Sequence, residues 1–240
     1  MVYKGRKGHS SQATQLALFQ TVKALLPEAS QVVLLGDGEF DGSQVVAWFA
    51  TETTWHFVCR TDKTNLIWHD DQWLALEQLP LAPGQETFLT DVRFTQAHQV
   101  GPVNILVIWH EAKNCHWFFV TNLPTAQAAK KGYTKRFTTE TLFADLKGRG
   151  FHLDDTRLWQ PERLNRLLLA AAIADVFSLV LGVEAIVSGA FRQLVRTDAF
   201  YHSLFQLGLI YLDHILNECL AFPACLSLPP PSVFEHVVIS

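Results

Sequence analysis

The segment GYTKRFTTETLFADLKGRGFHL, residues 132–153, carries four side chains at fixed spacing: Tyr133, Arg136, Glu140 and Lys147. At about 100° per residue on a helix, these side chains are expected to lie within roughly 60° of one another. We therefore predict one helix over about residues 126–148, with a phenol, two cations and a carboxylate on one face. Such a face suits phosphate binding beside a metal ion better than packing in a core.

The composition predicts a globular protein with one locally basic region. The chain has 240 residues, of which 49% are hydrophobic and 18% are charged, which excludes a disordered chain. Its formal net charge of −4 argues against a general nucleic-acid binder. Residues 130–166 nevertheless contain nine Lys or Arg and five Asp or Glu, so any contact with nucleic acid is expected to be local.

The cysteines and the apolar segments favour a reduced, cytoplasmic protein. The four cysteines include no C-x-x-C pair, which makes a zinc site an unfavoured interpretation. The first ten residues have no apolar stretch, so we expect no secretory signal. Residues 167–183 are very apolar but contain Asp175, and we predict a core helix there, with no membrane span.

The pattern along the chain predicts an α/β fold with a β-rich insertion. An amphipathic helix is expected over residues 11–26, followed by a buried strand at 32–35 and a helix from about 42. Short β-prone runs alternating with turns fill residues 55–122. Helices are predicted again after residue 124. The expected parts are 1–54 (partial core), 55–122 (insertion), 123–222 (rest of the core, with helices at 126–148, 161–187 and 199–220) and 223–240 (extended tail).

Three carboxylates occupy the turn that follows the first predicted strand, in LLGDGEFDG, residues 34–42. In α/β folds, ligand-binding residues gather beyond the carboxyl ends of strands, which favours a functional role for Asp37. The alternative is a solvated loop. For Asp41 we predict a helix N-cap, a position that aspartate prefers.

Asp37 and Glu140 together predict a divalent-metal site. Carboxylate oxygens suit Mg²⁺ or Mn²⁺. Arg136 and Lys147 would hold backbone phosphates of a nucleic acid, and Tyr133 would stack on a nucleotide or form a hydrogen bond to it. The alternative for Glu140 is an exposed carboxylate with ordinary helix ion pairs to its neighbouring cations, worth a few tenths of a kcal/mol each.

The pattern Y-x2-R-x3-E-x6-K resembles the signature of insertion-sequence DDE transposases of the IS-four type. Residues 34–42 resemble that family's segment with the second catalytic aspartate, here Asp37. HWFFVTNLP, residues 116–124, resembles the strand before the signature helix, and residues 143–174 resemble the run after it. The resemblance covers roughly residues 30–187.

This resemblance implies a ribonuclease H-like catalytic core, interrupted by a β-rich insertion and followed by helices. It implies Mg²⁺- or Mn²⁺-dependent cleavage and strand transfer at transposon ends, in a homodimer assembled on DNA. Asp37 and Glu140 would be catalytic metal ligands, and Tyr133, Arg136 and Lys147 would contact DNA.

The chain departs from the family pattern before Asp37. The family's triad includes an earlier aspartate, whereas Glu28 is the only acid that precedes Asp37. We therefore expect a core truncated at its N-terminus and a fragment with little or no activity. Two alternatives stay open at this point: a non-catalytic DNA-binding or regulatory remnant, and a metal-dependent nuclease. Trp109 and Trp117 are interpreted as core residues of the β-rich region.

Overall fold

The computed structural model describes residues 10–148, 150–196 and 202–222. The chain divides into two compact units between Phe137 and Thr138. We refer to the described part before this boundary as the sheet unit and to the part after it as the helical unit. The predicted extended tail, residues 223–240, lies outside the described residues.

The structure is a mixed α/β fold with seven helices and seven strands in its described part. The helices are α1 (Gln12–Leu25), α2 (Ser43–Thr51), α3 (Ala126–Thr134), α4 (Phe137–Leu146), α5 (Pro161–Val187), α6 (Phe191–Leu194) and α7 (Leu204–Asn217). The strands are β1 (Val33–Gly36), β2 (His56–Thr61), β3 (Leu66–His69), β4 (Gln72–Ala75), β5 (Thr87–Phe94), β6 (Val100–His110) and β7 (Cys115–Thr121).

All seven strands form one mixed sheet in the order β1-β2-β7-β6-β5-β3-β4. β1 and β2 are parallel, and the other neighbours are antiparallel. Two apolar clusters cover the sheet on its two faces. One contains Phe49 of α2 and Phe57 of β2, and the other contains Phe119 of β7 and Tyr133 of α3. The sheet unit is therefore a sheet with helices on both faces, with its parallel pair at one edge.

Most of the predicted elements are confirmed. α1, α2 and α5 fall where the apolar spacing predicts helices, β1 lies within one residue of its predicted bounds, and residues 55–122 contain the other six strands. The predicted burial of β1 is wrong, because β1 is an edge strand and its Val33 is 43% exposed. β2 and β7 extend the same sheet as β1, so the β-rich region shares a sheet with the first α/β unit. Trp117 is 9% exposed, which confirms its interpretation as a core residue.

The single helix predicted over residues 126–148 is wrong. α3 ends at Thr134 and α4 begins at Phe137. Between them the backbone tightens, because the amides of Lys135 and Arg136 donate to carbonyls three residues earlier, 3.0 and 2.9 Å away. Glycine at 132 and β-branched threonines on both sides of this turn have low helix propensity. The four signature residues therefore do not share one helix face.

The helical unit is built on a close crossing of α5 and α7. Gly182 of α5 and Gly208 of α7 have no room for a side chain: an added Cβ would overlap the carbonyl oxygen of Leu204 or of Ser178, respectively. Phe205 is completely buried beside this crossing and packs edge-on against Phe151 at 5.4 Å. Small residues thus let the two helix backbones meet.

α5 is the one described helix long and apolar enough to cross a membrane by length and composition. Of its most apolar 18-residue window, 39% is buried, and Leu169, Ile173 and Val176 are exposed. A single helix of this kind is weak evidence for membrane insertion, because the core helix of a soluble protein meets the same criteria.

Candidate functional site

Asp37 directly follows β1 and is exposed at its carboxyl end. Its Oδ1 accepts a hydrogen bond from the amide of Glu39 at 3.1 Å, and its carbonyl accepts one from the amide of Phe40 at 3.1 Å. Gly36 precedes it because a Cβ there would lie 2.7 Å from both the Cys59 sulfur and the Phe40 Cβ. The turn is therefore packed tightly beneath an accessible carboxylate.

A buried glutamine of α1 fixes this turn from the other side. Gln15 is 2% exposed, and its Nε2 donates to the Glu39 carbonyl at 2.9 Å and to the Ser10 hydroxyl at 3.1 Å. The position of Asp37 is thus set by strand, turn and helix together, as expected for a side chain that must be presented to a ligand.

The predicted N-cap role of Asp41 is wrong. Gly42 occupies the N-cap of α2 and makes no side-chain cap bond. Asp41 Oδ2 instead accepts hydrogen bonds from the Thr61 hydroxyl at 2.7 Å and from Asn65 Nδ2 at 3.1 Å. Asp41 therefore binds residues on and after β2 and does not cap α2. These hydrogen bonds connect the turn after β1 to the end of β2.

Asp41 gives a pH-dependent prediction. Burial raises the pKa of its carboxyl above the ordinary value of 3.8, although the Thr61 hydrogen bond opposes the shift. Between the unfolded and the raised folded pKa, the native state holds more protons, so stability falls as pH rises through that interval. We expect the wild type to lose stability relative to Asp41→Asn as pH is raised from about 3.8 towards neutrality, measured by urea unfolding at stepped pH.

Asp91→Asn provides the control for this series. It removes a carboxylate from the same unit, but that carboxylate is exposed and does not take part in a buried hydrogen-bond network. A stability difference between wild type and Asp41→Asn that stays constant with pH contradicts the prediction.

Tyr133, in the last turn of α3, is buried with its ring in the core. The ring is 6% exposed and packs edge-on against Phe119, with centroids 4.5 Å apart. Its faces are therefore not available for stacking on a nucleotide, and of the two predicted contacts only the hydrogen bond through its hydroxyl is compatible with this packing. Burial raises the pKa of this hydroxyl, the charge of Asp37 adds to the rise, and Arg136 and Arg60 oppose it.

These electrostatic effects place Asp37, Tyr133 and Arg136 in one neighbourhood of the sheet unit. The Arg136 guanidinium lies 5.6 Å from the Tyr133 ring centroid and 5.2 Å from that of Phe137, and it forms a hydrogen bond with the Tyr133 side chain. Although Arg136 lies in a turn rather than on a helix face, it is held by two aromatic neighbours.

Glu140 and Lys147 belong to the helical unit. Glu140 is exposed in the first turn of α4, where a negative charge interacts favourably with the helix dipole. Lys147 is exposed just after α4, and its carbonyl accepts bonds from the amides of Gly150 and His152. Both side chains are accessible to a ligand.

Arg60 is a candidate residue that the sequence analysis missed. It lies on β2, and its guanidinium is 4.3 Å from the Trp117 ring centroid. A lone arginine in a β-prone run gives no signal of its own, since its neighbour on β7 is 57 residues away in the sequence.

The chemistry of Asp37 and Glu140 fits a hard divalent cation, since both offer exposed carboxylate oxygens. Within residues 10–148, 150–196 and 202–222, no group of three or more His, Cys, Asp or Glu is placed to hold a metal ion. Glu28 lies in a turn before the amino end of β1, whereas Asp37 follows its carboxyl end. Glu28 therefore does not supply a further carboxylate beside Asp37.

The chain matches one protein-family model over most of its length. A family model of the transposase DDE domain matches residues 2–176, which is more than half of the chain. The chain belongs to the transposase DDE domain family. Among curated proteins, no relative matches it.

The family match includes Asp37 and all four signature residues, and it ends within α5. Membership confirms the predicted resemblance to DDE transposases and supports a transposase function in general. The mixed seven-stranded sheet with helices is consistent with that family's fold.

Proposed function

We propose that this chain is a DDE transposase of the IS-four type, with a ribonuclease H-like core and with Asp37 and Glu140 as two of its catalytic carboxylates. The observation that carries the proposal is the family match over residues 2–176, which spans both carboxylates and the Y-x2-R-x3-E-x6-K spacing. The exposed position of Asp37 at the carboxyl end of a parallel strand supports it.

The proposed reaction is cleavage and transfer of DNA at transposon ends. Water first hydrolyses a phosphodiester, and the 3′-hydroxyl released then attacks a phosphodiester of the target. Asp37 and Glu140 would hold Mg²⁺ or Mn²⁺, which supplies positive charge that activates the attacking oxygen and stabilises the leaving one. The partners are DNA and a second copy of the chain, and a cytoplasmic location is expected.

The other signature residues would hold the DNA. Arg136, fixed beside Tyr133 and Phe137, offers a fork of donors to a backbone phosphate. Lys147 offers a mobile point charge. The positive charges of Arg136 and Arg60 oppose the rise in the pKa of the Tyr133 hydroxyl. This hydroxyl would donate to a phosphate oxygen while the ring stays in the core.

A second candidate function is a DNA-binding or regulatory remnant without turnover. It is favoured by the held position of Arg136, whose guanidinium lies 5.6 Å from the Tyr133 ring centroid and needs no metal ion to bind a phosphate. A remnant of this kind would retain the phosphate contacts of Arg136 and Lys147 while its metal affinity and turnover fell. Metal binding and DNA binding must therefore be measured separately.

The proposal predicts that Asp37→Asn lowers the affinity of the chain for Mn²⁺ by at least about tenfold, since a charged oxygen ligand is lost. Mn²⁺ binding is measured by water-proton relaxation. Asp71→Asn is the matched control, because Asp71 is also an exposed aspartate in a turn, and asparagine tolerates its left-handed φ of 61°. If the wild type, Asp37→Asn and Asp71→Asn bind Mn²⁺ with equal affinity, Asp37 is not a ligand of the metal ion.

A further inference from the structure

A groove of about 530 Å³ opens beside the Asp37 turn, and none of the four signature residues lines it. Its lining includes Gly38 after β1, Arg60, Asp62 and Lys63 at and just after the end of β2, and His116 and Trp117 of β7. The groove lies at the carboxyl ends of the parallel strands β1 and β2, the end of a parallel pair where α/β proteins bind ligands.

Trp117 holds Arg60 at the wall of this groove. β7 lies between β2 and β6 in the sheet, so Arg60 on β2 and His110 on β6 approach the indole from opposite sides. The guanidinium is 4.3 Å from the indole centroid, and the imidazole is stacked at 4.0 Å with 24° between the planes. A guanidinium placed in this way loses little additional freedom when it binds an anion.

Arg60 lines the groove, whereas Lys113 lies outside its lining but near the same indole. The Lys113 ammonium lies 5.5 Å from the same indole centroid. In the described part of the chain, neither Arg60 nor Lys113 forms an ion pair, whereas Lys63 pairs with Glu77 at 2.7 Å. Asp62 also lines the groove, and its Oδ1 accepts hydrogen bonds from the amide and hydroxyl of Thr64, at 2.9 and 2.6 Å, which lower the pKa of its carboxyl.

The same geometry excludes base stacking as the role of Trp117. The indole is 9% exposed and is covered by His110 on one side and Arg60 on the other. The groups that remain available are the cations, which recognise charge and carry no base-specific information. The ligand class that fits is therefore a phosphate of a nucleic-acid backbone.

We propose that Arg60, positioned by Trp117 and assisted by Lys113, binds a backbone phosphate of the DNA strand that passes the Asp37 turn. This inference rests on the proposed transposase function and adds a phosphate site to it that lies outside the four-residue signature. Arg60 contacts the DNA, and Trp117 is a positioning residue.

The test is fluorescence anisotropy of the full chain with a labelled 20-base-pair duplex of arbitrary sequence, at salt concentrations between about 50 and 200 mM. Arg60→Gln is expected to weaken binding on the order of tenfold, and to reduce the slope of log affinity against log salt by about one. Arg60→Lys is expected to keep the slope but bind less tightly, because the charge remains and the fork is lost.

Arg93→Gln is the matched control: Arg93 is an exposed arginine of β5, three strands from β2, and it bonds Gln99 at 3.2 Å. Lys113→Gln replaces an exposed side chain in a short 3₁₀ turn. It is the second variant of the proposed groove site, and its reduced slope tests the assisting cation even if Arg60→Gln does not fold. Salt slopes of both groove variants equal to that of Arg93→Gln overturn the inference.

Arg136→Gln separates this inference from the proposed function. If Arg136→Gln weakens DNA binding while both groove variants match the control, the groove is not a DNA site and the proposed function stands. A wild-type chain that binds no DNA overturns both. Titration with inorganic pyrophosphate alone tests the other source of phosphate, and Arg60-dependent pyrophosphate binding without Arg60-dependent DNA binding would also overturn the inference.

Discussion

Glu140→Gln is expected to abolish Mg²⁺-dependent nicking of supercoiled DNA, with a loss of about three orders of magnitude or more. A divalent cation at a transferring phosphate stabilises the transition state by several kcal/mol, and each 1.36 kcal/mol changes the rate tenfold. Glutamine keeps the size of the side chain and removes the charge that would bind the cation. Glu140 is exposed, so this substitution is not expected to disturb folding.

The assay compares polypeptides whose translation starts upstream of Met1, so that any aspartate-bearing strand encoded there is included. The substrate is a supercoiled plasmid that carries the DNA flanking the coding sequence. Glu162→Gln is the matched control, because Glu162 occupies the first turn of α5 as Glu140 occupies that of α4. Nicking by Glu140→Gln at the wild-type rate rules out the catalytic assignment. If neither the wild type nor Glu140→Gln nicks the plasmid but both bind DNA, the result supports the regulatory remnant.

The local pattern was sufficient to predict most of the elements of the sheet unit. The apolar run before Asp37 predicts β1, and the polar turn after it predicts an exposed carboxylate, but the run does not show that β1 is a partly exposed edge strand. The spacing that suggests one helix over residues 126–148 was misleading. A fixed spacing of polar residues is compatible with a helix but does not require one, and the turn at Lys135 and Arg136 interrupts it.

The contacts that could not be predicted join residues distant in sequence. Asp41 is 20 residues from Thr61, its hydrogen-bond partner, and Arg60 meets Trp117 only because β2 and β7 are neighbours in the sheet. Local propensity favours a cap for an aspartate before a helix, but Asp41 instead accepts hydrogen bonds from a buried threonine hydroxyl and a half-buried asparagine amide. Such pairs follow from strand order, which a single sequence does not contain.

Gly208→Ala is expected to lower the free energy of unfolding of the helical unit by about 2 kcal/mol or more. Gly208 lies inside α7, where alanine is normally favoured over glycine by about 1 kcal/mol. Here an added Cβ would overlap the carbonyl oxygen of Ser178 on α5, which is backbone and cannot rotate away. The two helices must separate, and forced overpacking of this kind costs about 1–3 kcal/mol and occasionally more.

The sign of the effect makes this prediction decisive, because helix propensity alone predicts stabilisation and close helix packing predicts the opposite. Urea unfolding followed by circular dichroism at 222 nm measures the change, and hydrogen exchange localises it to α5 and α7. Gly182→Ala tests the facing position, where the added Cβ would meet the Leu204 carbonyl oxygen. Gly148→Ala is the control, since no atom lies within 4 Å of its added Cβ. A Gly208→Ala protein as stable as Gly148→Ala would mean that α5 and α7 do not cross at these glycines.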